Sequence, residues 1–131
     1  MTQKELIEYW LAESDKDYNS MLNIAKSREN HWVLFIGHLS VEKALKALYV
    51  QNNEKNVVPK IHSLVKLAEL ANLDVSDEMF VKLSTITLFN IQARYPDYKK
   101  KFRNTCTDEY TKEKIICIRE VLDWLKSEIK K

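Results

Sequence analysis

The sequence predicts an all-α protein, an up-down antiparallel bundle of four to five helices. Residues able to form tight turns are scarce, with one glycine and two prolines among 131 residues, which argues against an all-β fold. Hydrophobic residues also recur at three- and four-residue steps along most of the chain, the period of amphipathic helices. The length suits one hydrophobic core, so we predict a single domain over residues 1–131.

The first predicted helix runs from about Lys4 to about Ser27. Thr2 and Glu5 have capping-box spacing, in which each side chain satisfies a free backbone amide of the same turn. Its apolar positions, three and four residues apart, form one stripe: Leu6, Ile7, Trp10, Leu11, Tyr18, Met21, Leu22 and Ala25.

The second predicted helix runs from about Asn30 to about Asn52 and contains Gly37, the only glycine. A glycine inside a helix costs roughly 1 kcal/mol relative to alanine and usually marks close approach by another backbone. The predicted neighbour is the first helix or a second subunit.

Two further helices follow. Pro59 precedes a short predicted helix over Ile61–Ala71, and another helix is predicted to begin after Ser76, a suitable N-cap residue. Thr85 and Thr87 make a strand a weak alternative for that segment, but the four-residue period favours a helix.

The end of the chain is predicted as a loop followed by a helix. Pro96 should stop the preceding helix, and Gln92–Thr107 shows no convincing helical stripe. The last helix is predicted from about Asp108 to about Glu128.

The composition and the N-terminal sequence predict the cellular compartment of the protein. The N-terminus lacks the pattern of a signal peptide, and no apolar stretch approaches the ~18–20 residues that span a bilayer, so no membrane partner is expected. Cys106 and Cys117 fit neither a disulfide framework nor a metal-binding spacing. We therefore expect a cytoplasmic protein with two ordinary thiols.

The most informative segment for function is Arg94–Arg103, RYPDYKKKFR, with five cations against one anion although the whole chain carries only +2. Cations neutralise phosphates and aromatic rings stack on bases, so this mixture suits a nucleotide or single-stranded nucleic acid. A plainer interpretation is that the aromatic residues seal the end of the bundle and the lysines are solvated. Arg94 has a further alternative, which is to anchor the loop through a bidentate carboxylate contact.

A second group of candidates lies on and after the second helix. Lys43 and Lys46, three residues apart, either hold a phosphate or face water. His38 and Glu42 share a helix face, where an intrahelical polar contact is favoured over a metal or acid–base site because no third ligand is apparent. His62 is either a local helix cap or a site residue. The predicted ligand-binding residues are thus Lys43, Lys46, His62, Arg94, Tyr95, Asp97, Tyr98 and Lys99, with no catalytic residue, metal or cofactor.

Three ordered segments resemble the HEPN family (higher eukaryotes and prokaryotes nucleotide-binding). LSVEKALKALYVQ at Leu39–Gln51 is similar to the family's Glu-Lys and Ala-Leu-Lys-Ala pattern, and PKIHSLVKLAELA at Pro59–Ala71 is similar to its Pro-x-x-His-x-Leu-x-x-Leu stretch. ARYPD at Ala93–Asp97 resembles its Arg-Tyr-Pro motif. The resemblance implies a helical bundle, commonly a homodimer, that partners a minimal nucleotidyltransferase or belongs to a toxin–antitoxin pair.

The ribonucleases of that family carry an Arg followed four to six residues later by His. Here His31 follows Arg28 too closely, and no histidine follows Arg94. Since histidine is the natural general acid–base near neutral pH, we expect a non-catalytic nucleotide- or nucleic-acid-binding module. The alternatives are a metal-independent ribonuclease toxin with a degenerate site around Arg94 and His62, and a dimeric scaffold without a ligand.

A homodimer is expected for two further reasons. The five apolar residues from Trp32 to Ile36 sweep more than one face of a helix, so part of the run should meet a second surface. Gly37 directly follows this run and allows close approach of another backbone.

Overall fold

The computed structural model describes residues 1–130, which fold into helices and turns without a strand. This confirms the all-α class. Six helices are present in the described chain, rather than four to five: α1 (Gln3–Ala25), α2 (Asn30–Asn53), α3 (Leu64–Leu70), α4 (Asp77–Arg94), α5 (Pro96–Thr105) and α6 (Asp108–Ser127).

The four long helices α1, α2, α4 and α6 alternate in direction. Gln3 at the start of α1 donates to the carbonyl of Val50 near the end of α2, so these two helices are antiparallel. The amide of Asn90 on α4 meets His38 on α2, again in reversed order along the chain. The ion pair between Lys82 and Glu120, 3.4 Å long, joins the start of α4 to the later part of α6. The predicted up-down arrangement is therefore confirmed, with α3 and α5 as short additions.

Side-chain caps fix most of the helix starts. Thr2 accepts from the backbone N–H of Glu5 at 3.1 Å, and the Glu5 carboxylate accepts from the N–H of Thr2 at 3.0 Å, which confirms the predicted capping box. Ser76 caps α4 as predicted. Helix α3 begins later than predicted, because its cap is the hydroxyl of Ser63. The cap role considered for His62 therefore belongs to its neighbour.

The core lies between the long helices, and Gly37 sits on α2 at a close contact with two of them. A Cβ atom on Gly37 would overlap Cδ1 of Ile118 on α6 and lie 3.0 Å from Sδ of Met21 on α1. The predicted approach by the first helix is thus present, and α6 is an additional neighbour. Both contacts are made within the chain.

The prediction of a loop over Gln92–Thr107 is wrong, because α4 continues to Arg94 and α5 occupies Pro96–Thr105. Pro96 does end α4, but it is also the first residue of α5, a position that needs no backbone N–H donor. Only Phe102 of this helix is buried, so the segment carries no apolar stripe that periodicity could detect.

Within residues 1–130, no helix combines the length and apolar character required to cross a membrane.

Candidate ligand-binding site

A polar network joins α2, α4 and the segment before α3; we define it as the buried residues His38, Glu42 and Asn90 together with the exposed His62. The His38 ring is fully buried, with Nε2 3.0 Å from the carbonyl oxygen of His62 and Nδ1 3.4 Å from the amide nitrogen of Asn90. Burial lowers the pKa of His38, which favours the neutral ring. A neutral ring with its proton on Nε2 donates to the carbonyl and accepts from the amide, so both nitrogens are satisfied.

Glu42 is the charged member of this polar network and is 4 % exposed. One carboxylate oxygen lies 2.8 Å from Nδ1 of His62, and the other lies 3.2 Å from Nζ of Lys46. The predicted intrahelical contact between His38 and Glu42 is not formed, because His62 contacts both through different atoms. The segment that leads into α3 is thereby fastened to α2.

The two predicted phosphate-binding lysines of α2 already have counter-charges. Nζ of Lys43 lies 2.6 Å from a carboxylate oxygen of Asp17 on α1. Lys46 pairs with Glu42 and also lies 5.1 Å from the centroid of the Trp10 ring. A phosphate at this place would have to compete with both carboxylates.

Arg94 connects the polar network to the segment that begins α5. Its guanidinium donates to Asn90 twice, to the backbone carbonyl at 3.2 Å and to the side-chain oxygen at 2.5 Å. The guanidinium carbon also lies 6.0 Å from the centroid of Phe35 and 5.5 Å from that of Tyr95. Arg94 therefore anchors this region, but through an asparagine rather than the carboxylate that the sequence suggested.

Helix α5 places its functional candidates on different flanks. Nζ of Lys99 lies 5.2 Å from the centroid of Trp32 on α2. Tyr98 instead lines a separate groove of about 240 Å³ beside Lys101 and Tyr110. Consecutive helical residues differ by ~100° around the axis, which explains the separation. Tyr95 and Asp97 are exposed near the start of the helix.

Four cations of α5 lie on two successive turns; we call Lys99, Lys100, Lys101 and Arg103 the α5 cation cluster. Among the ion pairs of residues 1–130, none involves these four side chains. The two candidate lysines of α2, Lys43 and Lys46, are by contrast each paired with a carboxylate. The cation cluster is thus a local excess of positive charge on a nearly neutral molecule.

A cavity of about 420 Å³ adjoins this cluster, where the turn between α1 and α2 meets the end of α5. We call it the α2–α5 groove, and its lining residues are Arg28, Glu29, Asn30, His31, Trp32, Arg103 and Cys106. The Asn30 amide donates to the carbonyl of Cys106 at 3.0 Å and to the carboxylate of Asp108 at 2.9 Å, which ties the two walls together.

Sequence reasoning missed His31, which is 7 % exposed and whose Nε2 has no hydrogen-bond partner in the described structure. Burial and the positive charges of Arg103 and Lys99 lower the pKa of His31, while Glu29 opposes them. One signal in the sequence was available, because Glu29 precedes α2 where a capping Ser, Thr, Asp or Asn is usual. A helix start without such a cap indicates that its amides are free for another partner.

Two further observations concern metal ligands and the cysteine of the groove. Within the part of the chain that the structure describes, no three His, Cys, Asp or Glu side chains are grouped to hold a metal ion. Burial raises the pKa of the Cys106 thiol to about 12, so this cysteine lining the groove is a poor nucleophile at neutral pH.

Comparisons with known proteins give a matching family and two solved structures of similar fold. The sequence model of the HEPN domain matches residues 7–129. The structure of TT1696 from Thermus thermophilus is similar at a TM-score of 0.77 and 20% identity, covering 94% of this chain and 98% of that one. ST0689, an archaeal HEPN homologue, is similar at a TM-score of 0.68 and 21% identity, covering 95% and 98%. No curated protein sequence matches significantly. Because the HEPN match spans nearly the whole chain, this protein belongs to the HEPN domain family.

Proposed function

We propose that this HEPN domain is a non-catalytic module that binds a nucleotide or single-stranded nucleic acid at the α5 cation cluster. The observation that carries the proposal is that these four cations have no carboxylate partner in the described chain, whereas Lys43 and Lys46 have one each. Free cations on adjacent turns release counterions when they meet phosphates, which favours polyanion binding. Trp32 and Tyr98, on the two flanks of α5, supply aromatic surface beside them.

Arg94 has a supporting role in this proposal. Its guanidinium is committed to Asn90, so its main contribution is to hold Tyr95 and the start of α5 in place. Among the predicted residues, Lys99 is the one expected to contact phosphate most directly, because it lies beside Trp32 of the groove wall and has no ion pair among the described residues. Lys43 pairs with Asp17, and Lys46 and His62 both pair with Glu42. These three side chains would contact a bound phosphate only after displacing those carboxylates.

The proposal includes a homodimer whose partner is a minimal nucleotidyltransferase or the second component of a toxin–antitoxin pair. Two residues of the Trp32–Ile36 run, Val33 and Leu34, are buried in the core and cannot contribute to a dimer surface. A better candidate is the outer face of α4, where Phe80, Leu88 and Ile91 are 51 %, 49 % and 41 % exposed. Their spacing of eight and three residues places them on one stripe.

Light scattering tests the dimer through the expected mass, twice the 15.5 kDa of one chain. We expect Leu88→Glu to give monomers, because a carboxylate would be buried unpaired at the interface. Ile116→Glu, on an isolated exposed residue of α6, is the matched control and should leave the mass unchanged. A wild-type monomer at micromolar concentration would contradict the dimer.

The binding proposal is tested by titrating a fluorescent single-stranded RNA, and separately ATP, at low and physiological salt. The variant Lys99→Ala/Lys100→Ala/Lys101→Ala is compared with a control in which Lys16, Lys55 and Lys60 become Ala, which removes the same charge elsewhere. For wild type and control, the logarithm of RNA affinity should fall with the logarithm of salt at a slope of roughly −2 to −3, the value for three or four phosphate contacts. The α5 variant should bind more weakly, with a flatter slope.

Equal binding by the two variants would overturn the binding proposal, and no binding by wild type would favour a scaffold without a ligand.

RNA recovered from the same samples, incubated without metal, should be intact. A ribonuclease has one observation in its favour, since Glu42 orients the 58 % exposed His62 ring as a carboxylate orients a general base. Cleavage that is abolished by His62→Gln would establish that second function.

A further inference from the structure

The α2–α5 groove collects hydrogen-bond donors from three separate segments. The first backbone N–H groups of α2, those of Asn30 and His31, donate no hydrogen bond within the described structure and lie at the positive end of a 24-residue helix. Arg28 and Arg103 line the same groove from the preceding turn and from α5. Glu29 is the single anion among the lining residues, so donors and positive charge prevail.

His31 supplies the second, independent observation. Its side chain lines the groove and is more than nine-tenths buried, yet Nε2 has no hydrogen-bond partner in the described structure. Buried polar atoms are nearly always paired, so this nitrogen has an unused capacity to bind a hydrogen-bond partner. An anion at the helix start would provide an acceptor for this nitrogen.

Arg28 extends its exposed guanidinium from a turn with an unusual backbone conformation. Arg28 has φ 61°, in the left-handed region that glycine occupies most easily. Its Nε is 3.9 Å from a carboxylate oxygen of Asp108, and its side chain is 80 % exposed, so this weak pair leaves the guanidinium available.

We infer that the α2–α5 groove binds a terminal phosphate monoester, the dianionic end of a nucleotide or of an RNA strand. The N–H groups of Asn30 and His31, the His31 ring and the guanidinium groups of Arg28 and Arg103 donate to its oxygens. The inference rests on the proposed binding function and deepens it, because the α5 cation cluster adjoins this groove and meets the rest of the strand.

A monoester suits the groove better than an internal diester. The terminal group has three non-bridging oxygens and close to two negative charges, whereas a diester has two such oxygens and one charge. A cavity of about 420 Å³ holds a phosphate and part of its nucleoside. The half-buried Trp32 indole lines the same cavity and provides aromatic surface for a base.

The test compares three forms of one short single-stranded RNA, with a 5′-phosphate, a 3′-phosphate, or hydroxyl groups at both ends. For wild type, a terminal phosphate at one or both ends should tighten binding about tenfold, the effect of one additional charge-assisted hydrogen bond. The ratio of affinities, phosphorylated to unphosphorylated, is the readout, because Arg103 also contributes to general RNA binding.

Two double variants sharpen this test. Arg28→Gly/Arg103→Ala should bring the ratio close to one, and it should fold, since glycine relaxes the left-handed backbone at residue 28 and residue 103 is exposed. Lys16→Ala/Arg119→Ala removes two exposed cations outside the groove and should keep the wild-type ratio. NMR of the histidine rings during titration with inorganic phosphate is the second measurement, with His31 expected to shift and buried His38 expected not to.

The outcomes separate this inference from the proposed function. If wild type binds all three RNAs equally, the groove inference is overturned while the binding function stands. If no RNA binds, the proposed function fails. In that case a shift of the His31 NMR signals with inorganic phosphate still supports the groove as a phosphate site. No shift of the His31 signals overturns the site. A wild-type ratio that persists in Arg28→Gly/Arg103→Ala also overturns it.

Discussion

The polar network around His38 and the α2–α5 groove contain the same kinds of side chain. Their hydrogen-bonding groups are mostly paired in the network and mostly unpaired in the groove. Both have a buried histidine, a nearby arginine and an asparagine that joins two segments. In the network, His38 uses both ring nitrogens and Arg94 donates two hydrogen bonds to Asn90. In the groove, Nε2 of His31 is unpaired, and the Arg103 side chain forms neither a hydrogen bond nor an ion pair among residues 1–130.

The difference distinguishes a structural polar cluster from a candidate binding site. A polar group with all its partners inside the fold contributes to stability and has little capacity left for a ligand. A group that is desolvated but unpaired lowers stability until something binds it. Removing side chains from the network should therefore affect mainly folding, and removing them from the groove should affect mainly binding.

The largest expected effect is that of His38→Ala. The substitution leaves a cavity and unpairs the carbonyl of His62 and the amide of Asn90, so the free energy of unfolding should fall by about 3 kcal/mol. The groove variant Arg103→Ala, at an exposed position, should change it by less than about 0.5 kcal/mol. Urea denaturation measures both, and similar losses in the two variants would contradict the distinction.

A smaller effect should appear when the pH is lowered. Burial lowers the pKa of both His31 and His38, so the unfolded chain binds more protons than the folded one once the pH falls below the unfolded value of about 6.5. The stability contributed by each histidine should be fully present above that value and should be lost as the pH falls through the lowered folded pKa. The groups facing His31 are Arg103, Lys99 and Glu29, and those facing His38 are Glu42, His62 and Arg94.

The pH effect also separates the two regions. His31→Gln should remove its share of the decline, and saturating inorganic phosphate should reduce the decline in wild type but not in His31→Gln. Urea denaturation above and below the unfolded pKa, with and without phosphate, provides the measurement. A phosphate effect that is equal in both proteins would place the anion elsewhere.

The smallest expected effect on stability belongs to Lys99→Ala/Lys100→Ala/Lys101→Ala, at less than about 0.5 kcal/mol. The variant loses the contact of Lys99 with Trp32 but relieves repulsion among neighbouring cations and gains the higher helix propensity of alanine. Thermal unfolding followed by circular dichroism measures it. A large loss would mean that the α5 cation cluster stabilises the bundle rather than binding a ligand.

Local patterns allowed most of the fold to be predicted. The Thr2–Glu5 capping box, the Ser76 cap and the long apolar stripes are features of neighbouring residues, and the structure contains the corresponding helices. Helix α5 was missed because a single buried residue, Phe102, makes no stripe. Pro96 was correctly interpreted as the end of one helix, although it also begins the next.

The candidate site was less predictable because its contacts cross between distant elements. The pairing of Glu42 with His62 depends on the path of the chain before α3, and the contact of Asn90 with His38 joins α4 to α2 across 52 positions of the sequence. Likewise, Lys99 and Tyr98 are adjacent in sequence, but Lys99 lies over Trp32 whereas Tyr98 lines a separate groove, since the segment is a helix rather than a loop.

The Asn30 hydrogen bond to the carbonyl of Cys106 joins residues 76 positions apart. The α1–α2 hairpin involves nearby residues and can form quickly, whereas the groove needs α5 and α6 to close a much longer loop. During synthesis, the N-terminal hairpin also leaves the ribosome first. We therefore expect ligand affinity to arise only in the final phase of refolding, later than most of the helical signal, so that phosphate binding reports the docking of α5 and α6 onto the N-terminal hairpin.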